Sequence, residues 1–417
     1  MTALSAPGFP EESVRDRARR GEAAAFPPWE EYGRALFGVH GTGPDALDSL
    51  RLVPPVLMPR RLEKLIELGR EPLPEDVDLR VRLGGFQSEL PLYISAFGST
   101  RATGKGLGLA VARQAGALGI PLVIGENIVP VNGYGRVEQE TEHSMLLDRI
   151  RAYADEAPPV GGGVVVQQST EDADAEVWNL VYSDPNVTPL LESGRLGFEL
   201  KLGQGAKPGL GGMTLVDAAM SERLGDAYAL GAAAGDHVLR SSSPGTFTEE
   251  ILRNQVRLMR NNFPRARVWV KLPPGRDVGV AAAAAREAGA DAVTLDGAEG
   301  GTGWAPTVFL DHVGLPLGEC LVRADWPSDA VTSLLASGRM WEGSRAAKAL
   351  ALGATGVGLG RAALLAVDEC PRDGLVNLVR CLAFDLRMVT SALGKYAVAE
   401  IGREDVWPAL GHGTGRL

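Results

Sequence analysis

From about residue 88 onward, apolar and polar positions follow two rhythms. Short aliphatic or β-branched runs, "LPLYISAF", "PLVIGEN", "GGVVVQQS", "GFELKLG", "RVWVKLP", "DAVTLDG", "TSLLASG" and "TGVGLGRA", are each bounded by glycine or polar residues and predict strands. A further run, "DHVLRSS", is a ninth candidate. Between them lie longer stretches with apolar residues at three- and four-residue spacing, such as "GKGLGLAVARQAGALG", "TEEILRNQVRLMRNNF", "VGVAAAAAREAGA" and "EGSRAAKALALGA", which predict helices. Strand and helix alternating in this way predict a parallel sheet covered by helices. Eight such units fit a closed TIM (β/α)8 barrel, an α/β fold.

The flanks read differently. Residues 1–87 hold helical pieces and a proline-rich stretch, "RLVPPVLMPRRLEKL", without clear strand alternation, and are read as an N-terminal cap on the barrel. The barrel is expected over 88–366. Residues 367–417 are expected to form a C-terminal helical extension packed on it, helical to about residue 398. No repeat of fixed period and no low-complexity linker interrupts the chain.

Composition narrows the functional classes. With 45% hydrophobic residues in a chain of 417, a large core is available, and 42 Lys+Arg against 52 Asp+Glu give a net charge of −10. No basic run interleaved with aromatics is present to track a phosphate backbone, so nucleic acid is not an expected partner. The N-terminus lacks the apolar segment of a secretory signal, and no stretch reaches the roughly 18 to 20 apolar residues of a membrane span, so a cytoplasmic protein is expected. Cys320, Cys370 and Cys381 are the only cysteines, too few for a disulfide framework or a four-cysteine metal site, and are read as buried thiols.

Glycine-rich polar loops follow several strands, where such barrels place their ligands. "KLGQGAKPGLGG", residues 201–212, has five glycines and two lysines directly after an apolar strand. "ISAFGS" ends the first strand with Gly98 and Ser99, "GEN" puts Glu126 at the end of the second, and Lys271 closes the apolar run "VWVKLP". "DGAEGGTGWAP", residues 296–306, combines Asp296 and Glu299 with four glycines. After the last two strands, Gly338 and Gly360 would let the main chain come close to a phosphate, with Arg361 adding charge-assisted hydrogen bonds.

In this order, "ISAFGS", "GEN", "KLGQGAKPGLGG", "SSSPGTFTEEILRNQVRLMRNNFPRARVWVKL", "DGAEGGTGWAP" and "GATGVGLGRAALLA" resemble the FMN-binding domain of the glutamate synthase large subunit over about residues 90–366. "GQGAKPGLGG" matches that family's QGAKPG loop almost residue for residue. The last two units are also similar to the FMN-dependent 2-hydroxy-acid oxidases. The resemblance implies FMN as cofactor, with flavin contacts at Ala96, Gly98, Gln168, Lys271, Gly300, Gly301, Thr302, Gly338, Gly360 and Arg361. It implies catalytic or substrate-positioning roles for Lys201, Glu126, Gln204 and Glu299, with Lys207 a further polar contact. Lys271 would face the N1/O2 edge of the flavin. No metal site is expected.

The departures matter equally. Where glutamate synthases carry a cysteine-rich stretch for a 3Fe-4S cluster, this chain reads "VDECPRDGLVNLVRC", so a cluster is not expected. Met1 stands only about 90 residues before the first strand, so neither the family's glutaminase domain nor its C-terminal glycine-rich domain is expected. Where the hydroxy-acid oxidases have a catalytic histidine, the loop offers Ala298. The expected function is a stand-alone FMN oxidoreductase moving a hydride between flavin and a small polar substrate, foremost at a C–N bond of an amino acid, amine or imine. Oxidation of a C–OH group, in a 2-hydroxy acid or aminosugar alcohol, is the alternative. A binding subunit that needs a separate glutaminase or electron-transfer partner is the competing class, and a homo-oligomer is compatible with either.

Overall fold

In the computed structural model, the residues described are 28–31, 35–38, 46–97, 105–125, 140–169, 175–205, 214–216, 221–222, 229–234, 237–241, 248–301 and 305–408. Eight parallel strands close into a barrel: β1 (Leu92–Phe97), β2 (Leu122–Ile124), β3 (Val164–Ser169), β4 (Leu196–Lys201), β5 (Arg267–Leu272), β6 (Ala292–Asp296), β7 (Ser333–Ser337) and β8 (Gly356–Leu359). β8 pairs with β1 and so closes the ring. These are the eight runs read from the sequence. The ninth becomes His237–Ser241, the central strand of a small antiparallel sheet with Thr214–Val216 and Ala229–Ala234, inserted after β4.

Each barrel strand is followed by a helix: α1 (Lys105–Ala117), α2 (Glu140–Ala154), α3 (Ala175–Ser183), α4 (Glu249–Asn262), α5 (Val278–Glu287), α6 (Leu317–Ala324), α7 (Gly343–Ala351) and α8 (Arg361–Glu369). α4 is capped at its start: Thr248 Oγ1 accepts the Ile251 N–H at 3.2 Å, with Glu249 and Glu250 in the first turn. One face of the strands, with Val164, Val166, Phe198, Leu200, Val268 and Val270, packs outward against the helices. Because alternate residues face opposite ways, the other face fills the barrel with Tyr93, Val123, Val165, Trp269, Ala292 and Leu335.

Two short strands, Val81–Leu83 and Phe86–Ser88, pair as an antiparallel hairpin ahead of β1, a feature absent from the helical reading of residues 1–87. Gly84 (φ +52°) and Gly85 (φ +93°) make its turn, a geometry that glycine enters without steric cost. The hairpin inserts Leu83 and Phe86 into the inner cluster. Trp269 Nε1 donates to Gly84 O at 3.0 Å, and Gly84 N donates to Ser333 Oγ at 2.9 Å. Strand entrances therefore hold the hairpin as a stopper at that end of the barrel.

The C-terminal helix α9 (Gly374–Ala392) lies against the barrel helices, and Gln114 of α1 receives the Leu375 and Val376 N–H groups on Oε1. Beyond α9, among the described residues, come two single-turn 3-10 helices, Val398–Glu400 and Arg403–Asp405, and Val406–Trp407, which pairs antiparallel with Arg51–Leu52. Among the described residues, no helix is long and apolar enough to cross a membrane, and no three His, Cys, Asp or Glu side chains gather to hold a metal ion. The thiols depart from expectation: Cys320 is buried, but Cys370 is half-buried and Cys381 exposed, because Cys381 falls on the outer face of α9.

Candidate active site

Strand alternation builds the mouth of the barrel. On β4 the inward parity that ends in Lys201 also selects Glu199; on β5 it selects Trp269 and Lys271, on β6 Thr294 and Asp296, on β7 Leu335 and Ser337. Register aligns Lys201 with Lys271, Lys271 with Thr294, and Asp296 with Ser337. The C-terminal end thus holds two lysines and two carboxylates on three adjacent strands.

Asp296 is the hub. Its Oδ2 lies 3.3 Å from Lys271 Nζ and accepts the Gly205 N–H at 2.9 Å, while Oδ1 accepts the Ser337 hydroxyl. Lys271 is 7% and Asp296 4% exposed, so water screens this pair little. One layer deeper, Glu199 accepts Gln167 Nε2–H on Oε1 and the Thr294 hydroxyl at 3.3 Å on Oε2. Burial, reinforced by the Glu199 carboxylate, pushes the Tyr93 phenol well above its ordinary range and keeps it protonated.

The loop after β6 is fastened from several sides. Both Glu299 carboxylate oxygens accept the Leu317 N–H, at 3.2 and 3.0 Å, at the start of α6. Arg345 Nη2 stands 3.8 Å from Glu299 Oε1 and donates to Gly338 O at 3.3 Å. Gly300 N donates to Gly297 O at 2.8 Å, closing a tight turn. Arg361 Nη2 donates to Glu299 O at 2.8 Å. A Cβ at Gly301 would come within 2.6 Å of Arg361 Cδ, and one at Gly38 within 2.0 Å of Arg361 Nη1, so backbone lies against this arginine on both counts. Burial draws the Arg361 pKa down, with Asp296 opposing, and the group stays cationic.

The residues at the ends of β7 and β8 fit an anionic group. Arg361 opens α8, where Ala363 and Leu364 N–H groups return to Gly360 O, leaving the first turn's remaining N–H groups pointed out of the helix. A Cβ at Gly360 would meet nothing within 4 Å, so there is room beside that helix start. Among the described residues, the guanidinium of Arg361 makes the one bond to Glu299 O, and it has five donors. Gly338, at φ +135°, holds a conformation reserved for glycine.

Lys201, Gln204, Lys271, Glu299, Gly300, Gly301, Gly338, Gly360 and Arg361 all fall at the C-terminal ends of strands or in the loops that follow. Ala96 packs against the inner cluster. Gln168 shares its strand face with Val164 and Val166 and donates Nε2–H to Gln167 O, so it is Gln167 that points inward. Glu126, Gly98, Thr302 and Lys207 lie outside the described residues. Glu199, Gln167, Ser337, Arg345 and the central position of Asp296 were not singled out from sequence. The signal for Glu199 was present: a charge two residues before Lys201 in an apolar strand shares its face.

The conserved region in glutamate synthase matches residues 187–383. An archaeal-type NADPH glutamate synthase of Dehalococcoides mccartyi is 33% identical over 187 residues, 42% of this chain and 36% of that protein. An archaeal NADPH glutamate synthase of Methanocaldococcus jannaschii is 32% identical over 203 residues, 45% of this chain and 39% of that protein. The chain therefore spans less than half the length of these relatives. Among solved structures, a soluble mutant of the membrane-associated (S)-mandelate dehydrogenase of Pseudomonas putida superposes with a TM-score of 0.57 over 94% of this chain and 98% of that one, at 19% identity, a likeness of fold. By sequence over residues 187–383, and with its strand-end residues gathered at one mouth of a closed (β/α)8 barrel, this chain resembles the FMN-binding domain of the glutamate synthase large subunit.

Proposed function

We propose that this chain is an FMN-dependent oxidoreductase that transfers a hydride between flavin and a small polar substrate at a C–N bond, in an amino acid, amine or imine. The observation that carries the reading is the buried lysine of β5 aimed into the barrel mouth, beside the glycine-rich loop that starts at Lys201. Lys271 is held in place there by its pairing with Asp296, which fixes an ammonium and a carboxylate side by side at the strand ends, and that fixed polar pair supports a polar ligand in the mouth. The open space at Gly360, the α8 N-terminus and the spare donors of Arg361 support a phosphate at the other side of the same mouth.

Bound FMN would supply a two-electron centre that exchanges hydride with the substrate. In this reading Gly338, Gly360 and Arg361 would hold its phosphate and Ala96, Gly300 and Gly301 would line the flavin, while Gly98 and Thr302, outside the described residues, are assigned to it by the resemblance alone. Lys271 would offset the negative charge that such a flavin gains on reduction. Lys201 and Gln204 orient the substrate by its polar groups, and Glu126 moves the proton, because the Glu299 carboxylate is engaged with Leu317 and Arg345. Ala298 stands where a hydroxy-acid oxidase would need its histidine, which favours the C–N bond over the C–OH bond.

The test is anaerobic. Purified protein, reconstituted with FMN, is mixed in turn with amino acids, amines, 2-hydroxy acids and aminosugar alcohols, and flavin absorbance is followed. Bleaching by amino acids or amines is expected. Bleaching by hydroxy acids alone would replace the C–N assignment. A flavin that can be photoreduced yet answers to no small molecule would favour a subunit that depends on a glutaminase or electron-transfer partner, and a protein that takes up no FMN would sink the reading.

A further inference from the structure

We propose that Asp296 is a positioning residue that fixes the orientation and the effective charge of Lys271, and so lowers the reduction potential of the flavin held in this barrel. The inference rests on the FMN reading above. Lys271 and Asp296 end neighbouring strands, 3.3 Å apart, and both are almost fully buried. In such a site, a cation whose neighbour is a carboxylate presents a much weaker positive field to a third group than the cation alone.

The carboxylate is also held against rotation. Ser337 of β7 occupies Oδ1, and the Gly205 N–H occupies Oδ2 on the edge that faces Lys271. One side chain on β6 thus ties together the lysine of β5, the hydroxyl of β7 and the glycine loop that follows β4. A flavin beside Lys271 becomes more negative on reduction, so a lysine partly neutralised by Asp296 stabilises the reduced form less. The same carboxylate fixes Gly205, and through it the loop that carries Lys201 and Gln204. The potential and the placement of the substrate loop therefore share one anchor.

Asp296→Asn keeps the shape and removes the charge. In protein loaded with FMN and equilibrated against a reference dye, the substitution is expected to shift the flavin about tenfold toward its reduced form, equivalent to about 30 mV for a two-electron couple. In a Lys271→Met background only the carboxylate's own field on the flavin remains, without the repositioning of the ammonium, so Asp296→Asn should shift the equilibrium clearly less. Asp296→Ser, a smaller residue that keeps an acceptor, provides a second reading in the same direction should the asparagine protein fold poorly. Both Asp296 variants loaded with FMN and matching the wild-type potential would overturn the inference, as would an equal shift in the Lys271→Met background. Failure of the wild-type protein to bind FMN at all would overturn the functional reading and this inference together.

Discussion

Asp48 reaches from the N-terminal segment to Arg345 at 2.7 Å and pairs with a guanidinium that has no exposure to solvent. Its other oxygen lies 3.3 Å from Arg339 Nη1, and Lys348 Nζ donates to its backbone carbonyl at 3.2 Å. The N-terminal segment is therefore bound by charge to the loop and helix after β7, beside the region where a phosphate fits. Removing one member of a buried pair costs roughly 3 to 5 kcal/mol. Gly338 O and Glu299 still face Arg345, so Asp48→Ala is expected at the low end, about 3 kcal/mol, read as a lower urea midpoint with unchanged slope.

Lys201 ends β4 on its inward face, while the residues fitted to a phosphate follow β7 and β8. Lys201→Ala should cut turnover with the substrate that bleaches the flavin by roughly a hundredfold or more, the equivalent of about 2 to 4 kcal/mol in the transition state. FMN content should stay near one per chain. A loss of activity that follows only loss of flavin would place Lys201 in cofactor binding instead.

Arg361→Ala acts on the opposite side of the mouth. It removes the donor to Glu299 O and the guanidinium against which Gly38 and Gly301 lie. A charge-assisted hydrogen bond contributes about 1.5 to 3 kcal/mol, so the FMN dissociation constant should rise roughly ten- to a hundredfold, measured by fluorescence quenching. Arg361→Lys restores the charge but not the fork of donors and should recover only part of the affinity.

Cys320 is buried, and that burial, with the nearby Glu299 and Asp296 carboxylates, pushes its thiol up to about 12. The thiolate is the reactive form, so Cys320 should stay unmodified by iodoacetamide from pH 7 to 9 in the folded protein. Cys381 is exposed and should be alkylated. Peptide mapping of labelled native protein checks both. Labelling of Cys320 at the rate of Cys381 would mean that the α6 packing opens readily.

Arg70 grips Asp76 with two hydrogen bonds of 2.7 Å, and Leu73 N donates to the same carboxylate. Arg70's bonds foremost hold the Asp76 pKa down to about 2, against 3.8 for a free side chain. A pKa depressed by folding contributes stability that is complete above about pH 4 and fades as the pH falls toward 2. The destabilisation caused by Asp76→Asn at pH 6 should therefore shrink through that window and disappear only below pH 2, as followed by thermal melts.

The eight barrel strands were legible because each is a compact apolar run between glycines, and both of its faces are buried. Lys271 was legible for the opposite reason, as a charge that breaks such a run. Glu199 was obscured by the conspicuous loop after it, although period-two alternation placed it beside Lys201. The hairpin in "VRLGGFQS" was missed because its strands have three residues each, too short for a rhythm, although Gly84-Gly85 between apolar positions is a turn signal. Arg345 could not be read at all. On a helix it looks like an ordinary surface charge, and its strongest reason to be inside is Asp48, 297 positions away in sequence.

That hairpin changes what a minimal barrel would have to contain. A fragment that starts at residue 88 keeps all eight strands yet removes Leu83 and Phe86 from among Tyr93, Val165, Trp269 and Leu335, and leaves Trp269 Nε1 without Gly84 O. Water would then enter from below and reach the layer that holds Glu199. The segment that precedes the first barrel strand behaves as a cork, and trimming it away would uncork the floor of the site.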